Sequence, residues 1–256
     1  MSDTDLTVQA TRVPRLGLGT WQMTGRECVE GVADALRLGY RHIDTARMYR
    51  NEREVGRGLA ESGVARDEVW ITTKVWHSDA AADRVRRSAE ASVNDLGVDR
   101  VDLLLLHWPT DRVPLAETLG ALTELRDQGL AREIGVSNFP PPLLREALDL
   151  APVFADQVEY HPREPQDELL ELCRERDVML TAYSPFGHGR LLREGALREI
   201  GDAHGKSPAQ VLLRWLLDKP HVSAIPKAAT HDKRAANLEV FDFELTEDER
   251  ARIEAL

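Results

Sequence analysis

The run VDLLLLHWP, residues 101–109, sets four leucines in succession and closes on a histidine and a tryptophan. A strand with one wet face alternates apolar and polar residues. A run this uniformly apolar suits a strand buried on both faces, as in a parallel sheet lying under helices. It is far too short to cross a bilayer, and it carries Asp102 and His107. Outward from it the same pattern recurs. Candidate strands fall at 16–20 (LGLGT), 41–44 (RHID), 68–74 (EVWITTK), 101–107, 131–137 (AREIGVS), 155–159 (ADQVE), 178–183 (VMLTAY) and 222–226 (VSAIP).

Helical patterns fill the intervals, at 26–38, 51–62, 80–96, 114–128, 140–149, 166–176 and 207–218, with shorter pieces at 194–203, 231–238 and 246–255. In SPAQVLLRWLLDK the residues Val211, Leu212, Trp215 and Leu216 share one helical face. Ser207 before Pro208 predicts a helix start, with serine as N-cap and proline at the first helical position. Thr246 caps the last helix in the same way, followed by acids where the helix dipole favours them. Strand and helix alternating eight times predict an α/β fold, a (β/α)8 TIM barrel forming one domain over residues 1–256. An open doubly wound sheet is the competing arrangement. Against it, no Gly-x-Gly-x-x-Gly turn follows any strand, and LGLGTW has only two glycines and no clear helix after it.

Bulk properties narrow the function. A formal net charge of −11 gives no broad basic field, so neither nucleic acid nor an anionic membrane is an expected partner. The first fifteen residues have neither an apolar core nor a basic leader, which predicts a cytoplasmic protein. Two cysteines, Cys28 and Cys173, make no disulfide framework and no metal-ligand spacing, so they read as buried structural thiols and no metal is expected. Nothing suggests a large exposed apolar patch, and a monomer is expected.

In such a barrel the active groups sit at the C-terminal strand ends. Those ends carry Asp44, Lys74, His107, Ser137 with Asn138, Gln157, Tyr183 with Ser184, and Lys227, although the strand interiors are apolar. Any one of them has a plain structural explanation, a cap or a turn former. Set on one rim, they suggest a shared site. Asp44 beside Lys74 predicts an ion pair that keeps the lysine charged, and a tyrosine near that ammonium, Tyr49, is expected to have its pKa lowered from about 10. A phenol tuned in this way can protonate an oxygen that is gathering negative charge, with His107 orienting the same oxygen. The set contains no serine or cysteine nucleophile, and it suits carbonyl reduction.

The ordered segments HIDTARMYRNEREVG, ITTKVW, VDLLLLHWP, REIGVSNF, QVEYHP, AYSPFGHG and IPKAA resemble the aldo-keto reductase family, over nearly the whole chain from LGLGTW to VFDFELTEDE. The resemblance is greatest to the compact bacterial branch that includes 2,5-diketo-gluconate and methylglyoxal reductases. It implies reduction of small dicarbonyls, sugar ketones and aromatic aldehydes, with Tyr49 as general acid, Lys74 and Asp44 tuning it, and His107 positioning the carbonyl. It further implies NADPH, with NADH as the alternative, bound across the barrel mouth. Ser137, Asn138 and Gln157 match positions that hold the nicotinamide carboxamide, and Tyr183 the aromatic stacked on its ring. Ser184, Pro185, Phe186 and Gly187 match the loop along the pyrophosphate. Lys227 and Asn237 match the adenosine end, while Thr20, Trp21 and Ile225 fall beside the same path. Trp21, Met48, Trp76 and Trp108 correspond to the substrate wall.

Three departures from the family pattern stand out. Ala228 occupies a position that is usually Ser or Thr, and Lys233 one that is usually an arginine on the 2′-phosphate. Lysine lacks the bidentate fork of arginine, so a weaker NADPH preference is expected. Lys227 and Lys233 still supply charge there, in a chain with five lysines; the roles of His231 and Arg234 stay open. Arg100 replaces an aromatic, a change expected to lie on the surface. The chain ends at Leu256, shortly after the last helical pattern, without the closing C-terminal loop of longer relatives, and a broad substrate range is expected. Two other readings compete with the reductase: a Schiff-base aldolase acting through Lys74, which would need that lysine neutral and unpaired, and a non-catalytic NADPH-binding regulatory barrel.

Overall fold

The computed structural model describes residues 4–256. A hairpin comes first, β1 (Asp5–Val8) against β2 (Thr11–Pro14). Eight further strands follow: β3 (Leu18–Gly19), β4 (His42–Asp44), β5 (Trp70–Val75), β6 (Val101–Leu106), β7 (Ala131–Ser137), β8 (Val153–Glu159), β9 (Met179–Tyr183) and β10 (Val222–Ala224). They pair in parallel, each with its sequence neighbour, from β3 through to β10. A parallel bridge between Leu16 and Ala224 joins the last strand to the first, with Gly17 N–H donating to Ala224 O at 2.9 Å and Gly19 N–H to Pro226 O at 3.1 Å. The sheet is therefore a closed (β/α)8 barrel, as the sequence predicts.

The two glycines of LGLGTW serve this closure. A Cβ on Gly19 would lie 2.5 Å from Ile225 O, and one on Gly17 would lie 2.8 Å from the His42 ring. A side chain on Gly19 would push the first strand off the last, and one on Gly17 would strike His42 of the adjacent strand β4.

Around the barrel run α1 (Gly25–Leu38), α2 (Glu52–Ser62), α3 (Ala82–Leu96), α4 (Leu115–Asp127), α5 (Pro141–Leu150), α6 (Asp167–Glu175), α7 (Gly195–His204), α8 (Pro208–Leu217), α9 (His231–Leu238) and α10 (Glu247–Glu254). Ser207 and Thr246 both form complete capping boxes, with Gln210 and Glu249 as the reciprocal partners. The leucine run of β6 divides as its strand requires. Leu104 and Leu106 pack under the helices, while Leu103 and Leu105 join Trp70, Phe154 and Met179 inside the barrel. Leu6, Val8 and Val13 of the hairpin belong to that inner cluster, so the hairpin plugs the N-terminal end. Gln9 fastens the plug, its backbone N–H donating to Asp177 Oδ2 at 2.7 Å and its side chain to Val153 O at 3.1 Å. Cys28 on α1 and Cys173 on α6 are buried, and burial pushes the Cys28 thiol up to about 12, so neither is poised to react.

One core group is costly. Asp156 on β8 is fully buried, and neither carboxyl oxygen has a hydrogen-bond partner of regular geometry. Burial pushes its carboxyl up to about 8, with the Phe139 backbone amide pulling the other way. The unfolded chain ionises this group above about pH 4, whereas the folded chain holds the proton to about 8. Its contribution to stability is therefore full below about pH 4 and is lost as pH rises to about 8. Asp156→Asn should remove that loss, although the buried amide takes back part of the gain. We expect about 2 kcal/mol of added stability at pH 8 and little at pH 4, read from urea unfolding at the two pH values. An unchanged pH slope would show that Asp156 is not the group responsible.

Candidate active site

At the C-terminal end of the barrel lies a cavity of about 290 Å3. Its wall brings together Asp44, Tyr49, His107, Ser137, Asn138, Gln157, Tyr183, Ser184 and Lys227, which the sequence spreads over more than 180 residues. Strand polarity explains the convergence. Parallel strands end at one rim, so polar residues placed last on each strand meet there.

Lys74 and Asp44 form a fully buried ion pair, Nζ to Oδ1, at 2.6 Å. The same ammonium donates to Thr45 O at 2.8 Å and lies 3.5 Å from the Tyr49 hydroxyl. Burial pulls the Lys74 ammonium below its ordinary value while Asp44 pulls it back up. The second oxygen of Asp44 accepts from Gln157 Nε2 at 2.7 Å, a contact across 113 residues that no local signal announces. Lys74 sits behind Tyr49 and does not line the cavity. An ion-paired amine without access to substrate does not fit Schiff-base chemistry.

Tyr49 ends a 3₁₀ turn, Arg47–Tyr49, that follows β4. Its ring lies 4.8 Å from Trp21 and 5.7 Å, edge-on, from His107. The expected lowering of its pKa is not found. Burial, and then the Asp44 carboxylate, push the Tyr49 hydroxyl well above its ordinary value. The Lys74 charge is already matched by Asp44, so the phenolate would face a dry pocket and a nearby anion. Tyr49 is thus held protonated, the form a proton donor needs.

His107 is held neutral, its pKa lowered to about 3 by burial, by Lys74 and by His77. Its Nδ1 is buried without a partner. A proton on Nε2 leaves only a lone pair, not an N–H, orphaned there, and Nε2–H is then the donor the ring can offer to the cavity.

The opposite wall is one hydrogen-bonded chain. Tyr183 OH donates to Asn138 Oδ1 at 2.8 Å, Asn138 Nδ2 donates to His107 O and Ser137 Oγ, both at 3.0 Å, and Ser137 Oγ donates to Gln157 O at 2.7 Å. Burial pushes the Tyr183 hydroxyl up to about 12. Asn51 and Glu52, which follow the tyrosine, are structural. Asn51 Nδ2 donates to Thr20 O and Met23 O, and Glu52 accepts from Thr73 Oγ1 at 2.6 Å and from Arg47 at 2.8 Å.

Not every expected residue reaches the cavity. Met48, Trp21, Trp108 and Ile225 line it, whereas Trp76 packs edge-on to His107 at 5.0 Å and borders a neighbouring hollow. Thr20 is fully buried, its hydroxyl donating to Asp44 O at 2.9 Å. Phe186 packs on the core, and Gly187 borders another hollow with His161; neither they nor Pro185 line the cavity. Lys227 and Lys233 are exposed, and Asn237 is buried on α9. Arg234 is buried, bonded to Asp34 at 2.7 Å and to Ala228 O at 2.9 Å, and His231 also bonds Asp34, so these neighbours anchor α9 to α1. Arg100 is exposed, as expected. Two lining residues, Gly19 and His188, were not anticipated.

A further hollow of about 530 Å3 lies beneath the hairpin, near Arg12, Arg41 and Trp70, and contains none of the rim residues of the mouth. Among the described residues no three His, Cys, Asp or Glu side chains are grouped to hold a metal ion, and no helix is long and apolar enough to cross a membrane.

Residues 15–256 match the Aldo/keto reductase family. An aldo-keto reductase of Mycolicibacterium smegmatis is 42% identical over 247 residues, covering 95% of this chain and 90% of the relative. A glyoxal reductase of Bacillus subtilis is 41% identical over 260 residues, covering all of this chain and 93% of its own. Among solved structures, a candidate 2,5-diketo-D-gluconic acid reductase B superposes with a TM-score of 0.97 at 42% identity, covering 99% of this chain and 91% of the other.

Proposed function

The chain belongs to the aldo/keto reductase family, and from that premise we propose that it reduces aldehydes and ketones to alcohols with a nicotinamide cofactor, NADPH in preference to NADH, using Tyr49 as the proton donor. The family supports an oxidoreductase acting on carbonyls. A tyrosine held protonated stands beside a buried ammonium, 3.5 Å away, at the wall of a cavity that a neutral histidine shares, and this arrangement supports Tyr49 as the donor.

The lining suits such a cofactor. Gln157 gives its amide N–H to Asp44, and among the described residues its Oε1 has no partner, while Gln157 lines the cavity. With Ser137 and Asn138 beside it, that oxygen suits a carboxamide, and the Tyr183 ring suits a flat heterocycle. Lys227 and Lys233 bring positive charge to the side where phosphates would lie. When bound, a reduced nicotinamide would supply the hydride for the carbonyl carbon. Tyr49 donates its proton to the carbonyl oxygen as negative charge develops there, and His107 Nε2–H holds that oxygen in place. The Lys74 ammonium, its charge matched by Asp44, donates to the Tyr49 oxygen at 3.5 Å and so turns the phenol's own proton toward the cavity. The substrates that fit are small dicarbonyls, sugar ketones and aromatic aldehydes.

The test is cofactor oxidation over a panel of those three classes, with NADPH and NADH titrated separately. We expect turnover with methylglyoxal or a nitrobenzaldehyde and tighter binding of NADPH. Equal or tighter NADH binding would overturn the preference. Absence of turnover with every carbonyl would favour a regulatory barrel instead. Because neither His107 nor Tyr49 changes charge near neutrality, kcat/KM for reduction should be flat between about pH 5 and 8. A break in that window that disappears on replacing His107 would contradict the neutral-histidine role.

A further inference from the structure

Next to the mouth cavity lies another hollow, of about 570 Å3. The two share Trp21, Met48 and Tyr49 as a common wall, and Trp76, Arg50 and Asp79 line the second alone. Arg47 also borders it, but its guanidinium is committed to Glu52 and Asp95. Arg50 is different. It directly follows the acid Tyr49 and is exposed, and its guanidinium forms no ion pair or hydrogen bond among the described residues. Asp79, the one acid on this wall, is not paired with it. Arg50 adopts φ 57° and ψ 32°, a left-handed conformation unusual for a side chain of this size, held by its N–H donating to Arg47 O at 3.2 Å.

On the reductase reading above, we infer that Arg50 selects carbonyl substrates that carry a carboxylate at the end remote from the reacting group. The carbonyl oxygen lies at Tyr49 and His107, the body of the substrate passes along Trp21 and Met48, and the carboxylate meets the Arg50 fork. Arginine pairs with carboxylates bidentately, and an unpaired guanidinium has donors free for that contact. The charge balance gives this position its weight. The chain carries a formal −11 and repels anions at long range. At the reacting end, Lys74 is neutralised by Asp44 and His107 is uncharged. Lys227 stands on the side assigned to the cofactor. An anionic substrate therefore depends on Arg50 for its counter-charge, whereas a neutral one does not.

The experiment compares 4-carboxybenzaldehyde with its neutral methyl ester in the whole enzyme, as wild type, Arg50→Asn and Arg50→Lys. Asparagine removes the charge while tolerating the left-handed backbone. The readout is kcat/KM for the carboxylate divided by that for the ester. We expect the ratio to fall at least tenfold in Arg50→Asn, mainly through KM, and to recover in part in Arg50→Lys. An unchanged ratio in Arg50→Asn, with both aldehydes still reduced, overturns this inference alone. Failure of the wild type to oxidise NADPH or NADH with either aldehyde overturns the reductase reading and this inference together.

Discussion

Replacing Tyr49 with phenylalanine is expected to slow carbonyl reduction by at least about 10²-fold, the usual scale of a lost general acid, while leaving cofactor binding near normal. The change removes one oxygen. The ring keeps its place against Trp21 at 4.8 Å and His107 at 5.7 Å, so the cavity wall is preserved. Only the proton donor is gone, and water reaching the carbonyl would be a poorer acid there. The loss should fall on kcat and kcat/KM together, since the interaction is made as charge develops and not in the ground state. Single-turnover reduction alongside a fluorescence titration of the cofactor separates the two effects. Turnover in Tyr49→Phe at the wild-type rate would remove Tyr49 from the role given to it.

A second large effect should follow from Lys74→Met. The methionine fills similar space but leaves the Asp44 carboxylate buried, with the Gln157 amide as its remaining side-chain partner. Breaking one side of a buried pair costs about 3–5 kcal/mol, because the remaining charge is neither solvated nor matched. We expect that loss in urea unfolding, and a fall in reduction rate as well, since the Tyr49 oxygen loses the donor that orients its proton. The double variant Lys74→Met with Asp44→Asn separates the two. It should regain most of the stability, as both charges are gone, and none of the rate. If the double variant were as unstable as the single one, the pair would not be the source of the cost.

The barrel was legible because its signals are local. Apolar runs of strand length, helical faces such as Val211 to Leu216, and the caps Ser207 and Thr246 can all be read within about ten residues. The hairpin β1–β2 lacks such a signal for a local reason too. Its turn residues Gln9 and Ala10 both have positive φ but are not the glycine or asparagine that usually announce such a turn. Within the site, the rim residues met as their strand-end positions implied. The direction of the Tyr49 shift did not follow, because it depends on how deeply the hydroxyl is buried and on where Asp44 points, and neither is written in residue order. Gln157 to Asp44 and Arg234 to Asp34 are links over 113 and 200 residues, visible only once the chain has closed on itself. Thr20 and Asn237, assigned by resemblance, are buried and do not line the cavity.

The hairpin beneath the barrel bears on how the proposed acid would be reset after each cycle. Among the described residues, Leu6, Val8 and Val13 fill the floor with apolar packing and Lys74 is buried among its partners, so the open side of Tyr49 is the mouth. On the mechanism proposed above, any proton that replaces the one given to substrate arrives through the mouth. The alcohol leaves by that same mouth, so recharging the acid and emptying the site share one doorway, and an occupant that lingers there delays both.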